Sequence, residues 1–217
     1  MVLSVARREE RRRDIVDAAH ALMRERGDAG FSMTELAERA GVSPATPYNL
    51  VGGKSEVLRL VVRDEFERFV EKLQSLDRRS PLQGLLDATA LVVSHYEEDP
   101  GFYRALYRMT FSSETPDVHL SMLMEGRALW QSLVQAAIRK GELVGQVRVR
   151  PFTDVILRSI GAVTLSWLHE DWSHDRFALE MALSVRLIVL GVLPAGGQTK
   201  LLAEVNRLQA KLQKSGN

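Results

Sequence analysis

The stretch from Ser32 to Lys54, SMTELAERAGVSPATPYNLVGGK, constrains this chain more than any other. Leu36, Ala37 and Ala40 recur at helical spacing and mark one apolar face. Ser32 followed by Glu35 fits a capping box, in which the hydroxyl takes a free backbone N–H and the carboxylate reaches back to another. Gly41 stands where such a helix would end, because glycine accepts the left-handed conformation at little cost. Val42 is placed to plug the space between two helices. Ser43-Pro44 then opens a second helix, with serine as the expected cap and proline at the first helical position. Helix, glycine turn and helix at this size form a helix-turn-helix, whose second helix enters a DNA major groove while the first crosses the backbone.

The order AERAGVS, followed by Thr46, Tyr48 and Lys54, resembles the tetracycline-repressor (TetR) family of transcriptional regulators. The likeness covers about residues 14 to 60, where DIVDAAHALMRERG precedes the motif and KSEVLRLVV follows it. It implies an all-α fold: an N-terminal three-helix helix-turn-helix domain over residues 1–53, then a larger helical ligand-binding and dimerisation domain over 54–217. The residues free to face DNA are Pro44, Ala45, Thr46, Tyr48 and Asn49, joined by Thr34 from the first helix of the motif. Hydroxyls suit phosphates, and asparagine is a natural reader of adenine. Lys54 begins the next helix, where an ammonium and free N–H groups together favour a phosphate. The resemblance implies that phosphate role for Tyr48 and Lys54.

Four positions depart from the family pattern. Position 47 usually holds an aliphatic residue and is proline here; read as the fourth helical position, it removes a backbone hydrogen bond. Leu50 stands where a phosphate-binding histidine or tyrosine is frequent, and Gly52-Gly53 loosens the following loop. These departures predict a short or distorted recognition helix. They leave open a second reading, a protein of the same fold that no longer binds DNA and acts through ligand or protein contacts.

Formal net charge is +1, so DNA affinity must come from a local basic patch. Arg7, Arg8, Arg11, Arg12 and Arg13, set against Glu9 and Glu10, are either a solvated helix start or a basic arm on phosphates. The absence of cysteine excludes disulfides, thiolate catalysis and cysteine-type zinc sites. An arginine-rich start without an apolar run predicts no secretory leader, and no stretch approaches the length of a membrane span. A cytoplasmic protein is therefore expected.

Downstream, Ser55 to about Asp77 reads as one long helix joining the DNA-binding unit to the rest, with Val57, Leu58, Val61, Phe66 and Phe69 on a broad apolar face. Further helices are predicted over about 82–98, 101–112 and 117–140, with a loop at 144–149. The helices at about 152–170 and 175–193 are too apolar for ordinary surface helices and resemble the pair that makes the family's four-helix dimer interface. A homodimer would set two recognition helices roughly 34–36 Å apart, matched to palindromic operator DNA. Leu201, Val205, Leu208 and Leu212 form a narrow stripe that packs on its own domain or extends that seam.

No phosphate-cradling loop, HExxH or GxSxG occurs, and no paired nucleophile and base, so no enzyme and no cofactor are expected. His169, Asp171, His174 and Asp175 sit at an interhelical turn and read as caps and solvated charge, and His20 has no partner at ligand spacing; no metal is expected. Tyr96, Phe102, Tyr103, Tyr107, Phe111, Met124, Trp130 and Trp167 are the candidate lining of an apolar pocket. Their character points to a small hydrophobic or aromatic effector.

Overall fold

Apolar faces at helical period run through almost the whole chain, and a chain so patterned buries them by packing helix on helix. A computed structural model describes residues 5–76, 80–110, 116–170 and 172–215; at 110, 116–125 and 215 only the backbone is described. Among these residues every regular element is helical: α1 (Val5–Arg26), α2 (Met33–Arg39), α3 (Ala45–Leu50), α4 (Lys54–Ser75), α5 (Pro81–Glu98), α6 (Pro100–Thr110), α7 (Pro116–Arg139), α8 (Val149–His169), α9 (His174–Leu190) and α10 (Ala195–Ser215). None of them is long and apolar enough to cross a membrane.

Two compact units emerge. One comprises the residues up to Arg68 together with Glu98 to Glu125; the other comprises Phe69 to Glu97 and Gly126 to the end. The division falls inside α4, between Arg68 and Phe69, and α6 belongs with the N-terminal helices.

In the first unit α1 packs against α2, α3 and α6. Ile15, Ala19 and Met23 of α1 meet a core completed by Phe31, Leu36, Ala37, Leu58 and Val61, all fully or almost fully buried. Burying the larger of these side chains contributes roughly 1.5–3 kcal/mol each. Asp99 holds α6 in place: its Oδ1 accepts the Phe102 N–H at 3.2 Å, and its other oxygen pairs with Arg24 of α1. A Cβ at Gly101 would lie 3.1 Å from the Arg24 carbonyl, so glycine lets the two backbones approach.

In the second unit α9 packs between α8 and α10. Trp167 stacks on Phe177 with centroids 4.9 Å apart, and Tyr96 stacks against both. Thr89, Thr153 and Thr164, buried among apolar neighbours, satisfy their hydroxyls on the carbonyls of Leu85, Val149 and Ile160. The loop after α7 is irregular as its sequence reads, and Val144 donates its N–H to the Val192 carbonyl at 2.9 Å. Helix α8 begins earlier than Pro151 suggests, because a proline within the first turn forfeits an N–H that has no partner there anyway. Leu201 and Val205 anchor α10 on its own unit, where Arg186 pairs with Glu204 at 3.1 Å.

Candidate nucleic-acid interface

The motif is built from local chemistry. Ser32 Oγ accepts the Glu35 N–H at 3.2 Å while Glu35 Oε2 accepts the Ser32 N–H at 2.7 Å, the reciprocal pair of a capping box. Arg26 also reaches Glu35. The backbone N–H of Ser32, then Arg26 and the Ser32 hydroxyl, hold this carboxyl down at about 2 against an ordinary 4.5. At the other end Gly41 takes φ +65°. Its N–H reaches the Glu38 carbonyl at 3.1 Å, and the Val42 N–H reaches Ala37 at 3.0 Å. That crossed pair is a Schellman ending, and a Cβ at position 41 would strain it.

Helix α3 starts one residue later than its sequence suggests. Pro44 is the flanking residue, with φ −55° and ψ −28°, and it offers no side-chain cap. Ser43 does not cap through its side chain as expected. Its hydroxyl lies 2.7 Å from Thr46 Oγ1, and its carbonyl accepts the Thr46 N–H at 2.9 Å. The later start moves Pro47 into the third helical position, where backbone N–H groups lack intrahelical partners, so its missing donor costs little. Pro47 is buried, filling the inward site an aliphatic side chain would take, and its carbonyl accepts from Val51 and Gly52. The helix is six residues long. Gly52 then turns at φ +124°, where an added Cβ would meet Glu56 Cγ at 2.9 Å, and α4 follows.

This packing sorts the predicted residues. Thr34, Pro44, Ala45, Tyr48 and Asn49 are exposed, and Thr46 is half-buried. Tyr48 stands out at 57% exposure for a large aromatic ring. Lys54 is half-buried, with its ammonium 4.9 Å over the Phe31 ring, so part of its role is to close the small core. Arg39 forks onto Glu25, and that pairing lowers the Glu25 pKa. Arg8, Arg11 and Arg13 lie exposed along α1.

The predicted effector residues divide between the two units. Tyr96, Trp130 and Trp167 are buried in one; Phe102, Tyr103 and Tyr107 are buried in the other. Phe111 lies outside the described residues, and Met124 lies on α7 where only backbone is described. In the HEDWSHD segment His169, His174 and Asp175 are exposed, and His174 Nδ1 faces Glu97 at 3.4 Å; Asp171 lies outside the described residues.

One grouping escapes sequence reasoning. His20 of α1, buried and stacked on Phe102 at 4.3 Å, turns its Nε2 toward Glu65 Oε1 at 3.5 Å and Asp64 Oδ2 at 3.8 Å. Tyr103 donates its hydroxyl to the other Glu65 oxygen. Burial pushes the His20 pKa down and, aided by Glu65, raises that of Tyr103. The histidine and carboxylates come from different helices, so no local spacing announces them.

Comparison with known proteins places the motif in context. The family described as bacterial regulatory proteins, tetR family, matches residues 15–61. The HTH-type transcriptional repressor KstR2 of Rhodococcus jostii (strain RHA1) is 27% identical over 72% of this chain and 79% of its own length. The fatty acid metabolism regulator protein of Bacillus subtilis (strain 168) is 22% identical over 82% of this chain and 93% of its own. Among solved structures, a TetR-family transcriptional regulator from Syntrophomonas wolfei superposes with TM-score 0.71 at 16% identity, covering 83% of this chain and 96% of the other. That likeness is one of fold.

Proposed function

We propose that this chain is a transcriptional regulator of the TetR family, the reading supported by the family match over residues 15–61 and by the likeness to KstR2, and that it is a repressor that binds palindromic operator DNA as a homodimer and is released by a small hydrophobic effector. The observation that carries this reading is the outward face of α3. Tyr48 and Asn49 are exposed while Pro47 is drawn into the core, so the helix is seated by one side and offered by the other. Thr34 and Thr46 flank that face with hydroxyls, and Lys54 opens the next helix beside it. Such a surface contacts phosphates through hydroxyl and ammonium groups, and bases through the amide.

Dimerisation is supported by the apolar outer faces of α8 and α9, where Val155 and Leu187 remain 43% and 45% exposed. A hydrophobic effector is supported by the aromatic cores and by the likeness to the B. subtilis regulator of fatty acid metabolism. Release requires that the effector bind the state unable to grip DNA better than the competent one, since equal affinity shifts nothing. A protein acting on operator DNA works in the cytoplasm.

The test is fluorescence polarisation of the purified protein against DNA from upstream of its own coding region. Specific binding is expected, with log affinity falling linearly with log salt at a slope near −0.9 per phosphate contacted. No specific binding even at low salt would favour a regulator acting through protein contacts instead.

A further inference from the structure

Nε2 of His20 and Oδ2 of Asp64, which face each other in the first unit, are buried without an aligned hydrogen bond. They are 3.8 Å apart, and Glu65 Oε1 lies 3.5 Å from the same imidazole nitrogen. All three ligand-type atoms fall within 4.8 Å of one another. Arg68 ion-pairs with that Asp64 oxygen at 2.7 Å, so the imidazole nitrogen is the buried group left to satisfy, and leaving it so is costly. The gaps are too long for direct hydrogen bonds. Ligands at about 2.0–2.2 Å from a tetrahedral zinc stand roughly 3.3–3.6 Å from each other; the His20–Glu65 gap of 3.5 Å matches, and Asp64, at 3.8 Å, would close by a few tenths of an ångström on an ion.

We propose that His20, Asp64 and Glu65 form a binding site for one divalent transition-metal ion of the zinc class, tying α1 to α4.

The surroundings support that assignment. The buried Nε2 of His20 accepts no hydrogen bond and faces both carboxylates, where a neutral imidazole would present its lone pair to a metal. The Phe102 ring stacks on the imidazole and fixes its plane. Tyr103 donates to Glu65 Oε2, leaving Oε1 turned toward His20 Nε2 and Arg68, the arrangement by which outer partners orient ligands. Tyr103 is therefore a positioning residue. The local charge also favours a cation. Two carboxylates face one guanidinium, Arg68, which lies 2.7 Å from Asp64 Oδ2 as an ion pair and 3.2 Å from Glu65 Oε1. With His20 neutral, these groups sum to −1. Arg68 is half-exposed on a long flexible stem, so it can withdraw toward Asp17, 3.9 Å away, as the metal enters. One imidazole with two carboxylates suits zinc, manganese or iron better than calcium, which takes six or more oxygens.

The experiment uses tag-free, full-length protein stripped by chelation, then titrated with Zn²⁺ by calorimetry and with Co²⁺ by visible absorption. We expect one ion per chain and ligand-field bands from Co²⁺ that Zn²⁺ abolishes. At a hundredfold excess of free Zn²⁺ over Kd, the melting temperature should rise by about 5–10 °C. His20→Gln and Glu65→Gln should each weaken binding at least tenfold. Asp64→Asn provides a third variant at a partly exposed position, where the risk to folding is least. Arg68→Gln removes a competing cation and should tighten binding. The proposal is overturned if the wild-type protein takes up no stoichiometric Zn²⁺ or Co²⁺. It is also overturned if binding survives the His20, Glu65 and Asp64 substitutions unchanged, or if Arg68→Gln weakens it.

Discussion

Tyr48 and Asn49 are held outward by a backbone that buries the proline before them, so they can be changed without touching a core. Asn49→Ala should weaken operator binding by about 1–3 kcal/mol and relax preference at one base pair, measured by competition with base-substituted operators. Lys54→Met should weaken all sequences alike and lower the salt slope by about one. Its ammonium sits over Phe31, so thermal melts of that variant separate lost packing from lost phosphate contact. Glu35 carries a different kind of test. Its folded pKa, about 2, is depressed from the ordinary 4.5 by the Ser32 N–H, Arg26 and the Ser32 hydroxyl. Its contribution to the start of α2 is therefore complete above about pH 4.5 and is lost as pH falls toward 2. Amide exchange at the first turn of α2 should speed up across that window, and Glu35→Gln should flatten the change.

At the scale of elements, what the sequence discloses is what neighbours in the chain decide. The capping box at Ser32 and Glu35 and the Gly41 ending involve residues a few positions apart, and both are legible from the order of residues alone. The start of α3 is not, because Ser43-Pro44 fits two registers that differ by one residue, and only the core pocket for Pro47 selects the later one. Nearness along the chain groups the aromatic effector residues together, yet Tyr96 and Phe102 fall into different compact units. The His20 grouping is invisible in the sequence because its carboxylates are carried by another helix. The loop into α4 is equally demanding: Gly52→Ala should cost about 1–3 kcal/mol through its φ of +124° and its contact with Glu56, read as a lowered urea midpoint.

For the whole molecule, the outer faces of α8 and α9 matter most. Leu187→Glu should convert the proposed dimer to monomer in light scattering, and operator affinity should fall on the order of 100-fold or more as the second half-site contact is lost. Retained dimer on that variant would move the interface elsewhere, with the outer end of α10 as the next apolar stripe.

The DNA-reading unit is not continuous in the chain, since α6 returns from beyond the division in α4 to lie on α1. A truncation ending at Arg68 would strip the Phe102 ring from His20 and leave the Asp99 clasp on Arg24 unmade. Anyone grafting this reading head onto a foreign sensor should therefore transplant a non-contiguous pair of segments; a simple cut-and-paste of the leading helices would yield a sticky, half-clothed fragment.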